Sequence, residues 1–404
     1  MSAQPQQQQQ YAGFRPETFV APPEQDFLLP DNTPVHVAAD EHTVAISLAG
    51  AAAPTVVFAK QERTLRTSPH GIVNDDRAEH APVLLVTAPA RATVPRDDLW
   101  AAIYALCIRR YEDDVIPAAL DDASLANADE LLAYLTQTGL AFSPPDAAGA
   151  RDVLLVRAAF WQGAGAPVAR HWLRDPIPHP SLTMTSFPRV TSFTRGENVC
   201  TTHPLRPPKP APGRVIYSRW IFSLGEQLTF THIDGSNPEH FEVYKKWQNS
   251  DRVNVGWRER GPDEKHRKYL ADRLADPHIM GFLVSWNGEH AGYGEMSWVK
   301  EDHMNSFVGG LGDYDQGTHL LIGEEKFRGR QRFTAIMTAM KHMCFLRDPR
   351  TDVVVGEPRY DLPIIPRLIA YLPQEFNREF EMPHKRAVYF VLRRERFFQA
   401  AILY

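Results

Sequence analysis

A strand, a turn and a helix follow one another in Thr318-His-Leu-Leu-Ile-Gly-Glu-Glu-Lys-Phe-Arg-Gly-Arg-Gln-Arg-Phe333. The first N–H groups of a helix lack partners within the helix, and the helix dipole adds positive potential, so this turn is suited to bind an anion. Gly329 allows a ligand to approach the backbone closely, and the neighbouring arginines add charge. The spacing fits a diphosphate group and an ordinary strand-to-helix connection with exposed arginines equally well.

The residues around this segment predict further strands and helices in the second half of the chain. Strands are predicted over residues 215–223, 227–233, 281–286, 291–298, 318–323, 352–356 and 386–392. Helices are predicted over residues 238–248, 263–274, 333–346 and 363–372. Asn287-Gly288 lies between two of these strands and is a strong signal for a two-residue hairpin turn.

The length of 404 residues predicts two domains. Residues 1–26 form a Gln-rich tail that we expect to be disordered, and residues 176–213 form a proline-rich linker between the domains. The second domain covers residues 214–404. The first domain, residues 27–175, has a mixed α/β pattern, with strands predicted over 43–48, 55–58, 82–87 and 152–157 and helices over 97–110 and 129–136.

Composition excludes several classes of protein. A net charge of −5 argues against a nucleic-acid-binding protein, and no apolar run is long enough for a membrane helix. The three cysteines are far apart, which predicts neither disulfides nor a zinc site and favours the cytoplasm. The histidine spacing predicts no metal site. The pair His342 and Cys344 and the stretch Gly163-Ala-Gly165 are weak signals for thiol catalysis and dinucleotide binding.

Five pieces of the second half resemble the siderophore-biosynthesis acyltransferases of the GCN5-related N-acetyltransferase (GNAT) superfamily. They are Trp247-Gln-Asn-Ser-Asp-Arg-Val253, Gly294-Glu-Met-Ser-Trp-Val-Lys-Glu-Asp302, Asp313-Tyr-Asp-Gln-Gly-Thr-His-Leu-Leu-Ile-Gly-Glu-Glu-Lys-Phe-Arg-Gly329, Phe345-Leu-Arg-Asp-Pro-Arg-Thr351 and Val355-Gly-Glu-Pro-Arg359. The similarity is closest to the fungal hydroxyornithine transacylases. It implies an α/β (α+β) fold class, with a GNAT fold in the C-terminal half and a degenerate second copy in the N-terminal half. Gln331 departs from the general GNAT motif, which has a glycine there.

The resemblance implies an enzyme that uses acyl-CoA as cosubstrate and no metal. It would acylate the hydroxylamine nitrogen of N5-hydroxyornithine to form a hydroxamate in siderophore biosynthesis. Two alternatives stay open: a GNAT enzyme that acts on another amine, such as a lysine or a polyamine, and a non-catalytic protein that binds a partner through a degenerate donor site. Neither nucleic acid nor membrane is an expected partner, and the transferred acyl group and the oligomeric state stay open.

The same resemblance assigns roles to individual residues. His319 is the leading candidate for the base, and Glu357 is the second candidate, which could instead orient His319 or hold the substrate amine; Asp361 is an alternative acid nearby. Acyl-CoA would be bound by Leu320, Leu321, Ile322, Arg328, Gly329, Arg330, Gln331 and Arg332. The acceptor would be bound by Trp247, Asn249, Arg252, Glu295, Trp298 and Asp315. The competing interpretation places the histidine in a hydrogen-bonded core and the first three acceptor residues at an ordinary helix end.

Overall fold

The structure is a computed structural model, and it describes residues 14–15, 17–51, 53–67, 79–89, 93–144, 147, 149–174, 188–194, 199–362, 365 and 369–404. The chain divides into two compact units. One contains Thr18–Trp172, Trp220–Gly225 and Ala401–Tyr404, and the other contains Leu173–Arg219 and Glu226–Ala400 together with the N-terminal residues up to Glu17. Among the described residues, no helix has the length and apolar character that crossing a membrane requires.

An eight-stranded sheet forms the centre of the first unit. Its strands are β1 (Glu24–Leu28), β2 (Pro34–Ala39), β3 (Thr43–Leu48), β4 (Val56–Arg66), β5 (His80–Thr87), β6 (Val115–Leu120), β7 (Ala141–Phe142) and β8 (Asp152–Val156). They lie in the order β1-β2-β3-β4-β5-β6-β8-β7, and β5 and β6 are parallel. The helices of this unit are α1 (Arg96–Arg109), α2 (Ala128–Gln137) and α3 (Arg157–Trp161).

A second eight-stranded sheet follows a separate antiparallel pair, β9 (Arg189–Thr194) and β10 (Val199–Pro204). Its strands are β11 (Val215–Ile221), β12 (Glu226–His232), β13 (Ile279–Trp286), β14 (Glu289–Trp298), β15 (Gln316–Ile322), β16 (Val353–Gly356), β17 (Glu375–Met382) and β18 (Lys385–Arg393). The helices are α4 (Pro238–Gln248), α5 (Asp251–Trp257), α6 (Asp263–Ala275), α7 (Met304–Val308), α8 (Arg330–Arg347) and α9 (Arg394–Gln399).

The two large sheets have the same topology. The second sheet has the order β11-β12-β13-β14-β15-β16-β18-β17, which repeats the order of the first sheet strand by strand. In each sheet the fifth and sixth strands are parallel, and a long helix connects them: α1 in the first sheet and α8 in the second. The parallel pairing differs in extent, with three residue pairs between β5 and β6 and two between β15 and β16.

Two layers of helices cover the strand that carries the quoted segment. Leu321 of β15 belongs to an apolar cluster with Phe241 and Trp247 of α4 and Leu270 of α6. Thr318 instead accepts a hydrogen bond from Lys341 of α8. Because side chains alternate between the faces of a strand, the odd-numbered residues of β15 face α4–α6 and the even-numbered ones face α8.

Several elements differ from the sequence-based predictions. The strands β1, β2, β6, β7, β9, β10 and β17 were not predicted, and β1 begins inside the stretch for which the sequence predicts a disordered tail. β17 was not predicted because half of its residues are charged, as is common on edge strands. The four charged residues among its eight are Glu375, Arg378, Glu379 and Glu381. Half of the helix predicted over residues 363–372 lies outside the described residues.

The hairpin turn between β13 and β14 is confirmed, and it gives a test of the fold. Asn287 has φ 49° and Gly288 has φ 84°, the positive values that a type I′ turn requires. A Cβ on Gly288 would meet no atom within 4 Å, so Gly288→Ala introduces backbone strain alone. We expect a loss of about 1 kcal/mol in the free energy of unfolding, measured by urea denaturation.

Gly256→Ala is the matched control. Gly256 lies in α5, and a Cβ there would also meet nothing within 4 Å. Because alanine has a higher helix propensity than glycine, this variant should be as stable as the wild type or more stable. Equal midpoints for the two variants would contradict the assigned turn.

Candidate active site

The site is built where β15 and β16 separate. Parallel pairing joins Gln316 to Val354 and Gly317 to Val355, and no further pair of described residues continues it. On its other side β15 pairs with β14 from end to end. The backbone of residues 318–322 therefore presents one unpaired edge. Such an edge offers N–H and C=O groups to an extended polar ligand.

His319 lies at the start of this unpaired edge, between two carboxylates. Its Nε2 is 2.7 Å from Oε1 of Glu357, which follows β16, and its Nδ1 is 3.2 Å from Oε2 of Glu295 on β14. Glu295 is the direct cross-strand neighbour of His319. The His319 side chain is 41% exposed, whereas those of Glu295 and Glu357 are 3% and 8% exposed. The histidine is therefore the accessible member of this group of three.

Neighbouring side chains hold both carboxylates in place. Oε1 of Glu295 accepts hydrogen bonds from the hydroxyls of Tyr269 at 2.6 Å and Tyr293 at 2.9 Å, and Nε of Arg273 lies 3.6 Å from it. Lys385, the first residue of β18, forms an ion pair with Oε2 of Glu357. Sequence reasoning missed these four supporting residues.

The two carboxylates control the protonation of the histidine. Loss of hydration disfavours the imidazolium, but the negative charges of Glu357 and Glu295 outweigh this and raise the pKa of His319 from 6.5 to about 10. Burial likewise disfavours the charged form of Glu357, but His319 and Lys385 lower the pKa of Glu357 to about 2. In the unliganded protein near neutral pH, an imidazolium therefore lies between two carboxylates.

The indole ring of Trp257 lies close to the imidazole ring of His319. The ring centroids of Trp257 and His319 are 6.3 Å apart, and the rings are nearly perpendicular, at 78°. Trp257 is the last residue of α5, which ends at Arg258 in the left-handed conformation with φ 58°.

On the same stretch as Glu357, Arg359 forms a two-bond ion pair with Asp361, at 2.9 and 2.6 Å.

The predicted anion-binding turn precedes α8, the helix that begins at Arg330. Gly329 has φ 136°, and a Cβ on it would meet no atom within 4 Å, so the space in front of the helix is open. Glycine offers no side chain to cap the helix, and the first turn contains no acidic residue. The N–H groups of the first turn therefore remain available to a ligand. Gln331 is exposed, so its side chain leaves the backbone of the turn accessible.

Each arginine of the turn has a carboxylate partner. Arg328 pairs with Glu325 at 2.6 Å, Arg330 with Glu17 at 2.7 Å, and Arg332 with Glu226 at 2.7 Å. Arg328 and Arg330 are each 52% exposed. The carboxylates therefore partly neutralise the charge of these arginines. The backbone N–H groups of the turn are the groups most available to bind an anion.

Trp247 and Arg252 contact the donor segment rather than His319, and Asn249 contacts Gly261. A Cβ on Gly323 would come within 2.2–2.4 Å of the Trp247 indole, and Nε1 of Trp247 donates a hydrogen bond to Glu324 at 2.8 Å. Arg252 donates to the carbonyl of Gly323 at 2.7 Å, and the Asn249 side chain accepts from the Gly261 N–H at 3.0 Å. Their predicted contact with the acceptor stays a prediction.

Trp298 and Asp315 are also separate from the histidine. Trp298 is buried, with the guanidinium groups of Arg206 and Arg347 at 4.7 and 5.4 Å from its ring. Asp315 precedes β15 at the end away from the unpaired edge and lines a cavity of about 560 Å³. Among the described residues, no group of three or more His, Cys, Asp or Glu side chains is arranged to hold a metal ion.

Known proteins resemble this chain over most of its length. Residues 237–382 match the family described as acetyltransferase (GNAT) domain. Acyltransferase ato1 of Omphalotus olearius is 64% identical over 97% of this chain and 99% of its own. Hydroxyornithine transacylase SID3 of Ajellomyces capsulatus is 35% identical over 80% of this chain and 76% of its own. N(5)-hydroxyornithine:cis-anhydromevalonyl coenzyme A-N(5)-transacylase SIDF of Beauveria bassiana is 38% identical over 61% of this chain and 57% of its own.

The charge arrangement around His319 gives a direct test of the site. In Glu357→Gln one of the two negative charges is removed, so the imidazolium is less stabilised and the pKa of His319 should fall from about 10 towards 6.5. We expect to see this fall by NMR titration of the imidazole ring in the unliganded protein.

Glu379→Gln serves as the control variant. Glu379 lies on β17 and pairs with Arg386, so it contributes nothing to the histidine, whose pKa should stay as in the wild type. A His319 pKa near 6.5 in the wild type would contradict the geometry.

Proposed function

The chain belongs to the acyltransferases that carry an acetyltransferase (GNAT) domain, and from this membership we propose that it transfers an acyl group from acyl-CoA to the hydroxylamine nitrogen of N5-hydroxyornithine. The product is a hydroxamate. The relatives SID3 and SIDF, whose names specify hydroxyornithine, support this choice of acceptor. The observation that carries the proposal is a partly exposed histidine, held by two buried carboxylates, at the start of an unpaired strand edge.

The chemistry of the transfer fits this arrangement. The nitrogen lone pair attacks the thioester carbonyl, the C–N bond forms, the C–S bond breaks, and the electrons of that bond leave on sulfur. The nitrogen must lose a proton as this happens, and His319 is the accessible group that accepts it when neutral. Glu357 and Glu295 orient the ring and stabilise the imidazolium that results.

The donor side fits an acyl-CoA. The unpaired edge of residues 318–322, which includes Leu320, Leu321 and Ile322, can form hydrogen bonds with the amide groups of the pantetheine arm. The open N-terminus of α8 at Gly329 suits the diphosphate, and Arg328 and Arg330 lie beside it. Gln331 keeps its backbone N–H, so its side chain does not remove the anion-binding feature of the turn. This speaks against a degenerate donor site.

The charges near His319 favour a neutral acceptor group. While His319 is protonated, as in the unliganded protein near neutral pH, three cations, His319, Arg273 and Lys385, accompany two carboxylates, so the site that the acceptor meets carries an excess of positive charge. An alkyl amine has a pKa of about 10.4 and arrives as an ammonium, whereas a hydroxylamine is largely neutral near pH 7. The site therefore favours N5-hydroxyornithine over ornithine. All three cysteines are free thiols, which supports a location in the cytoplasm.

Acceptor selectivity tests the proposal. With one acyl-CoA at pH 7, the wild type should release thiol with N5-hydroxyornithine at a kcat/KM at least about 10²-fold above that with ornithine, because only about one in 10³ molecules of the amine is neutral. His319→Gln should lower kcat with the hydroxylamine by about 10²–10⁴-fold.

The control is His36→Gln, which changes a half-exposed histidine paired with Asp26 on the first sheet and should leave the rate unchanged. Equal rates with the two acceptors would refute the assignment and favour a general amine acetyltransferase. Thiol release that is absent with every acceptor would favour the non-catalytic alternative.

A second test concerns the donor turn. In the double variant Arg328→Gln, Arg330→Gln, the KM for acyl-CoA should rise by about two- to fivefold per charge, and kcat should stay constant. The acyl thioester of N-acetylcysteamine lacks the nucleotide and the diphosphate, so its KM should not change. The assay is thiol release at fixed acceptor concentration.

Arg96→Gln is the matched control for these arginines. Arg96 begins α1, the helix of the first sheet that corresponds to α8, and is 54% exposed and paired with Glu130. It should leave the KM for acyl-CoA unchanged. If it raised that KM as much as the double variant does, the donor would not be bound at the start of α8.

A further inference from the structure

Lys341 of α8 is a buried cation with neutral partners. It is 1% exposed, and its Nζ donates hydrogen bonds to Oγ1 of Thr318 at 2.6 Å and to the carbonyl of Val355 at 3.5 Å. Among the residues that the structure describes, no carboxylate lies within ion-pair distance of Nζ. Burial of an ammonium without a counter-ion costs several kcal/mol of folding free energy. We therefore expect a lysine at this position to have a function that offsets this cost.

The position of this ammonium is where the two strands part. Thr318 is the first residue of β15 beyond the parallel pairing, and Val355 is the last residue of β16 that pairs with β15. Lys341 therefore bridges the two strands from the α8 face, at the same level as His319, whose side chain lies on the opposite face. The ammonium and the imidazole flank the start of the unpaired edge from its two sides.

The groups around Lys341 leave its charge uncompensated. Burial lowers the pKa of Lys341 from 10.5 to about 8, so most molecules still carry the charge at pH 7. Cys344 is the other titratable group that acts on it, and burial raises the pKa of that thiol to about 12, so it is neutral. On the same helix Met340 and Met343 are apolar, and Nδ1 of His342 is 2.9 Å from the hydroxyl of Tyr217.

The transfer reaction supplies the missing negative charge. As the thioester is cleaved, charge develops on the carbonyl oxygen and then on the departing sulfur, while the proton of the nitrogen goes to His319. We propose that Lys341 stabilises this developing negative charge, and so favours departure of the thiolate, through its position beneath the point where β15 and β16 separate. The inference rests on the proposed function. Lys341 keeps its proton throughout, and its role is electrostatic.

Two substitutions separate the charge of Lys341 from its hydrogen bonds. Lys341→Met removes both and keeps the length of the side chain, whereas Lys341→Gln removes the charge and keeps an N–H donor. If the charge matters, kcat with acyl-CoA should fall by about 10- to 100-fold in both variants. The unfolding midpoint of Lys341→Met should equal or exceed that of the wild type, because an unpaired buried cation is replaced by an apolar group.

The dependence of the kcat loss on the leaving group distinguishes an electrostatic role of Lys341 from a purely structural one. The donors are the acetyl thioesters of N-acetylcysteamine and of 4-nitrothiophenol, assayed with N5-hydroxyornithine. 4-Nitrothiophenolate is a stable anion that needs little help from the protein to leave. The loss of kcat in both variants should therefore be less than about threefold with that donor, and it should stay large with the alkyl thioester. Met343→Leu, a volume-conserving change on the same helix, should match the wild type with both donors.

Three outcomes would overturn the inference. An equal loss with both donors, a lowered unfolding midpoint in Lys341→Met, or full activity in Lys341→Gln would each show that Lys341 only holds the strands together. If Lys341→Met does not fold, the donor comparison in Lys341→Gln decides. Absence of thiol release by the wild type with acyl-CoA and N5-hydroxyornithine would reject the proposed function itself, which distinguishes that failure from a failure of the role of Lys341.

Discussion

Two residue pairs hold β15 to β16, and the site depends on the point at which this pairing stops. Further pairing would satisfy the backbone of residues 318–322 and close the edge to any ligand. Earlier separation would leave His319 and Glu357 too far apart for their 2.7 Å contact. The strands are instead bridged beyond their last backbone pair by side chains, with His319 and Glu357 on one face and Lys341 on the other. The opening is therefore defined by charged groups.

The charges on the two faces have complementary tasks. On the α4–α6 face, His319 is balanced by carboxylates, so it can gain and lose a proton without leaving an isolated charge in the core. On the α8 face, Lys341 has neutral partners, so its field is not cancelled and acts on whatever lies in the opening. A proton carrier and a fixed cation on opposite sides suit a reaction in which a proton leaves one atom while negative charge accumulates on another.

The sequence predicted the local features of this site better than its long-range contacts. The Asn287-Gly288 turn, the strand β15 and the helix α8 follow from short patterns, and all are present. The sequence predicted that Glu295 binds the acceptor, whereas the pairing of β14 with β15 places Glu295 beside His319. Lys385 and Lys341 gave no signal, because one follows a charged edge strand and the other lies within an apolar helix. Their roles arise from neighbours distant in the chain.

The repeated topology of the two sheets has a consequence for how such a protein can evolve. In the first sheet the parallel ladder is longer by one pair, and the Asp121 N–H donates to the Val86 carbonyl to extend it, so the two strands stay paired further along in that copy. The first turn of its long helix also contains Asp97 and Asp98, which repel an anion. A duplicated gene can thus retain one copy for chemistry and release the other from that selection, and small changes in strand pairing and in the first turn of one helix are enough to make the two copies differ.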